Sequence, residues 1–137
     1  SERVMNAAKA ALEKSHADLK KVRFHPMPYD RTWLRDSAPT FVRTPTGSSW
    51  IVWSFNAWAK YDNYTLDKAV PDYIKNVTRL SSIPAVSRGN EPFVLEGGAI
   101  ETDGEGTLLV TEECLLSSEQ ARNPHLSRSE YEDLFHK

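Results

Sequence analysis

Val4, Ala7, Ala8, Ala11 and Leu12 recur at steps of three and four, which predicts an amphipathic helix over about residues 2–20. "KKVRFHP" follows as a short strand, stopped by Pro26 and Pro28. "PYDRTWLRD" mixes polar and aromatic residues without a period and reads as a loop. "SAPTFVRTPTGSSWIVWSFNAW" reads as a hairpin turning at "TPTGS", with Trp50 and Trp53 inside its second strand. Leu66, Ala69, Val70, Tyr73, Ile74 and Val77 then share one helical face. Pro71 is compatible with that helix if Asp67 is its cap, because the first turn has backbone N–H groups to spare. "IPAVSR" is a short strand. "PFVLEGGAIETDGEGTLLVTEECLL" is a strand and then a hairpin turning at "DGEG", with Cys114 at an apolar strand end. Ser127 and Glu130 form a capping box that opens a last helix carrying Tyr131, Leu134 and Phe135.

The predicted order is helix, strand, hairpin, helix, strand, hairpin, helix. That is a mixed α/β chain with the same strand-and-helix unit met twice, a repeat resting on element order alone. No G-x-G-x-x-G follows a strand, which argues against a dinucleotide-binding fold.

Composition narrows the function. A length of 137 residues suits one domain with a real core. A net charge of -2 with both signs mixed gives no electrostatic case for nucleic acid or a membrane surface. No run is apolar for long enough to span a bilayer. A single cysteine excludes an internal disulfide and a cysteine-based zinc cluster, and a reducing, cytoplasmic setting is expected. His16, His25, His125 and His136 show no metal-ligand spacing, and neither a metal nor a cofactor is expected. The sequons at Asn63 and Asn76 are short patterns that arise by chance.

Two carboxylates sit in unusual settings. Asp36 follows the apolar-aromatic "TWLR", and Glu96 ends an apolar run just before two glycines. The glycines either take backbone conformations closed to other residues or let a ligand come close. Each acid also has a plainer reading. Glu96 would be a buried acid satisfied by backbone N–H groups, and Asp36 a loop acid paired with Arg35 or capping a turn. Trp33 and Trp58 lie in or beside loops, and aromatic walls with a carboxylate suit an organic cation such as guanidinium. Trp50 and Trp53 read as core. Cys114 follows Glu112 and Glu113, and acids together with burial push a thiol pKa upward. It reads as a packed thiol and not as a nucleophile.

"WLRDSAPTFV", "WSFNAWAKYD" and "VLEGGAIETDGEGTLLVTEECLL…RNPHLS" resemble the agmatine deiminases and the related bacterial-type peptidylarginine deiminases, from about Val22 onward. The resemblance implies the pentein fold, a five-bladed α/β propeller, here a partial one of about two strand-strand-helix-strand blades in a single partial domain, 1–137. It implies an amidine hydrolase that turns agmatine into N-carbamoylputrescine and ammonia, or acts on peptidyl-arginine. In that family a cysteine thiolate attacks the guanidinium carbon and a histidine activates water. Asp36 matches the family aspartate that grips the guanidinium. Glu96 matches the glutamate of the "EGG" motif, which makes Asp36 and Glu96 the catalytic candidates. Trp33, Trp58 and Gly97 match substrate-side positions, and Ala38 and Ala59 stand where glycine is usual. The family's H-x-D histidine and late nucleophilic cysteine match nothing in these residues. The expectation is therefore an N-terminal part that is inactive alone, or a non-catalytic binding relative whose open strand edges self-associate. Its expected partner is a small guanidino substrate, with no nucleic acid and no membrane.

Overall fold

The structure, a computed structural model, describes residues 1–136. It is mixed α/β. Helix α1 (Glu2–Lys14) is followed by a short 3₁₀ turn at Leu19–Lys21, so the predicted first helix ends early. Residues 22–28 form no strand. Pro26 and Pro28 lack N–H donors, and no ladder forms along this segment among the described residues.

A one-turn helix α2 (Leu34–Ser37) stands where the sequence read as loop. It leads into the hairpin of β1 (Thr40–Thr44) and β2 (Gly47–Val52), as predicted, with Thr44 paired to Gly47 across a tight turn. Trp53 lies just past the strand, and its indole donates to Thr40 Oγ1 at 2.8 Å. Helices α3 (Thr65–Lys68) and α4 (Val70–Thr78) cross over to β3 (Ser82–Pro84), which pairs parallel to β2. Trp50 and Val70 are fully buried, and Phe55 is buried as well.

The single helix predicted from Leu66 is thus two, broken at Ala69. Pro71 falls in the first turn of α4, as expected, but Asp67 is not the cap. A proline ring crowds the carbonyl four residues back, which puts the break between Asp67 and Pro71. Asp67 is buried instead, and its Oδ1 accepts the N–H groups of Asp30 at 3.0 Å and Arg31 at 3.2 Å. Asp30 returns the contact by accepting Leu66 N–H at 2.8 Å. This exchange pins the loop that delivers α2.

Residues 92–95 run extended as isolated bridges to Ser54 and Val86. The hairpin of β4 (Ile100–Thr102) and β5 (Leu108–Val110) then turns at Asp103, whose carboxylate accepts Glu105 and Thr107 N–H groups. Those bonds hold the Asp103 carboxyl below the usual carboxylate range. Cys114 is not in a strand but in helix α5 (Glu112–Leu116). Glu112 and Glu113 occupy its first turn, where the helix dipole favours negative charge. Helix α6 (Arg128–Phe135) opens on the predicted capping box. Its Tyr131 joins Phe93, Leu95, Ala99 and Leu115 in a hydrophobic core cluster.

Candidate active site

Asp36 and Glu96 come together at the contact of α2 with the 3₁₀ turn Gly97–Ala99. Asp36 Oδ1 accepts the N–H of Gly98 at 2.9 Å, across 62 residues of sequence. Asp36 Oδ2 accepts the indole N–H of Trp58 at 3.2 Å. Arg35 donates through Nε to the Gly97 carbonyl at 3.1 Å. Of the plainer alternatives for Asp36, pairing with Arg35 does not occur, whereas the bond from Gly98 N–H lets Asp36 hold the 3₁₀ turn, with the indole as a second donor.

The two glycines admit a close approach and are not needed for an unusual φ, since neither is among the positive-φ residues. A Cβ on Gly97 would lie 2.3 Å from the Arg35 carbonyl oxygen, and one on Gly98 would lie 2.3 Å from Asp36 Oδ1. Any side chain would push α2 and its carboxylate away.

Glu96 is only 2% exposed. Its Oε1 accepts from Arg122 Nε at 2.8 Å, while Oε2 is buried without a hydrogen-bond partner among the described residues. Backbone N–H groups do not satisfy this acid, so the plainer expectation for Glu96 fails. Burial pushes its carboxyl above the usual range, the Arg122 hydrogen bond and charge oppose that, and the Asp36 charge adds to it. Arg122, itself 8% exposed, is the residue that sequence reasoning missed. It stood inside the quoted "RNPHLS", but nothing in that pattern announces a buried partner. Asn123 beside it clamps Val94, accepting its N–H at 2.9 Å and donating to its carbonyl at 2.8 Å.

Trp58 sits in a left-handed turn. Ala57, Trp58 and Ala59 have φ of 50°, 62° and 54°, and Asn56 Oδ1 caps the turn by accepting Ala59 N–H at 3.0 Å. Phe55 and Tyr61 pack edge-on against the indole. Trp33 is 62% exposed, and its carbonyl accepts Asp36 N–H at 3.0 Å. The structure thus brings together Asp36, Glu96, Gly97 and Trp58, and leaves the Trp33 ring outward.

Burial also pushes the Cys114 thiol up, with Arg122 opposing and Glu96, Glu113 and Asp36 adding. The thiol stays protonated at neutral pH, as the sequence predicted. Among the described residues no group of three or more His, Cys, Asp or Glu is placed to hold a metal ion, and no helix is long and apolar enough to cross a membrane. A cleft of about 770 Å³ between α1 and residues 24–34 lies apart from the two carboxylates.

This mixed α/β fold is shared with solved agmatine deiminases. Residues 1–137 match the family of Porphyromonas-type peptidyl-arginine deiminases, and the chain belongs to it. The match takes in α1, ahead of the Val22 start expected from the motifs. An agmatine deiminase of Pseudomonas fluorescens is 38% identical over 134 residues, 93% of this chain and 34% of its own length. The solved agmatine deiminase of Enterococcus faecalis is 33% identical, with a TM-score of 0.65 over 78% of this chain and 29% of that one. A C. jejuni agmatine deiminase, a cysteine-to-serine variant with substrate bound, is 27% identical with a TM-score of 0.65, over 90% of this chain and 35% of that one. The chain spans about a third of the length of these relatives.

Proposed function

We propose that the chain carries the guanidinium-holding carboxylates of an agmatine deiminase-like hydrolase, which converts agmatine and water to N-carbamoylputrescine and ammonia. The observation that supports this most is the unpartnered, buried Oε2 of Glu96 beside an Asp36 already fixed by two donors. A guanidinium is a flat cation edged with N–H donors, and each carboxylate oxygen can accept more than one. In this reading Asp36 and Glu96 grip the cation, Trp58 orients Asp36, Gly97 and Gly98 admit the carboxylate, and Trp33 forms an outer wall. The chain binds without attacking, because Cys114 is a protonated thiol. The parent fold is a pentein propeller, to which this chain contributes about two blades.

The family's name favours peptidyl-arginine as the other substrate. Calorimetric titration of the chain with agmatine and with an arginine-containing peptide decides between them. Agmatine should bind, Asp36→Asn should remove most of that binding, and ammonia release by the chain alone should be absent. Tighter binding of the peptide transfers the reading to protein substrates, and binding of neither overturns it.

A further inference from the structure

We propose that Arg122 is a positioning residue for Glu96: it ties down Oε1 and leaves Oε2 to accept a guanidinium N–H. This rests on the guanidinium reading of the site. Arg122 is itself held in place. Its Nη1 donates to the Gln120 carbonyl at 2.5 Å, its backbone N–H donates to the Cys114 carbonyl at 3.0 Å, and Nη2 lies 3.8 Å from Cys114 Sγ. With Nε on Glu96, the guanidinium fork has little freedom to turn, and neither has the carboxylate it holds.

Charge makes the case stronger. The groups facing Glu96 are Asp36 from α2, Arg122 from the turn before α6, and the neutral Cys114 from α5. With both carboxylates ionised, Asp36 and Glu96 supply two negative charges and Arg122 one positive, which leaves the cluster a net single negative charge. One guanidinium neutralises it. Without Arg122 two carboxylates would face each other in a dry site, and one of them would take up a proton. A protonated Glu96 offers a cation no charge. The arginine therefore matches the site to a monovalent cation.

The test is a carbon-13 NMR titration of the Glu96 carboxyl in the unmodified chain, Arg122→Gln and Arg122→Lys, alongside agmatine affinity across pH. Gln keeps a donor without the charge, and Lys keeps the charge without the fork. In Arg122→Gln the Glu96 midpoint should rise by about 1–3 pH units. Agmatine affinity at pH 7 should fall about tenfold or more, and recover as pH passes the new midpoint. Arg122→Lys should leave the midpoint near that of the unmodified chain. An unchanged midpoint in Arg122→Gln overturns the proposal. So does an equal loss of affinity in both variants at every pH, which is what a merely structural residue would give. Where Arg122→Gln does not fold, a rise of the same size in Arg122→Lys overturns it. The carboxyl titration is read without ligand, so failure of the unmodified chain to bind agmatine defeats the guanidinium reading separately.

Discussion

A Cβ at Gly98 has nowhere to go but into Asp36 Oδ1, 2.3 Å away. Gly98→Ala should cost about 1–3 kcal/mol by overpacking, and should break the N–H bond that orients the carboxylate. Chemical denaturation together with agmatine titration checks both halves. Gly97→Ala meets backbone at the same distance and should be at least as costly. Ala59 works the opposite way. Its φ of 54° is a left-handed conformation that a Cβ resists, whereas Ala38, the other alanine at a family glycine position, is extended with φ of -80°. Ala59→Gly should stabilise the chain by about 1 kcal/mol, read as a raised thermal midpoint, while Ala38→Gly should not. Glu96 supplies a pH signature. Its folded pKa lies above the unfolded value, so between the two the folded state binds more protons. Stability is then greatest below that window and falls as pH rises through the folded pKa. Thermal unfolding compared between the unmodified chain and Glu96→Gln should show that slope in the first and lose it in the second.

Helix α6 was legible to the residue, because a capping box is a local exchange. Ser127 N–H donates to Glu130 Oε2 at 2.8 Å, and Glu130 N–H donates back to Ser127 Oγ. Ser127→Ala should cost about 1 kcal/mol, measured by denaturant unfolding. The "DGEG" hairpin was legible for the same reason: Gly104 and Gly106 have φ of 73° and 109°, which few other residues adopt. Elements whose fate depends on distant partners were misread. Residues 22–28 have a strand's composition and no ladder. Helix α5 follows an apolar strand so closely that hydropathy alone continues the strand across "TEECLL". One helix became two because the Pro71 ring breaks it, and Asp67, read as its cap, instead holds the loop 36 and 37 residues away.

At the scale of the molecule, apolar surface remains uncovered. Leu109 is 65% exposed between Leu108 and Val110 on β5, and this edge of the two-stranded sheet has no further strand beside it among the described residues. An open apolar edge is a template for pairing. The chain should associate with itself as concentration rises, seen as a growing sedimentation coefficient, and Leu109→Lys should suppress that growth without changing the far-ultraviolet circular dichroism.

The two hairpins, the Ser127 capping box and the mixed α/β class followed from the sequence, because each is decided among residues within a few positions of one another. The motifs also led to Asp36, Glu96 and Trp58 as residues to watch. What the sequence could not determine was their arrangement. Asp36 meets Gly98 across 62 residues, and Glu96 meets Arg122 across 26. An ion pair of this kind forms only where packing removes water from both partners, and burial is a property of the folded chain. Tertiary structure alone therefore decided that one oxygen of Glu96 is tied to an arginine and the other has no donor among the described residues.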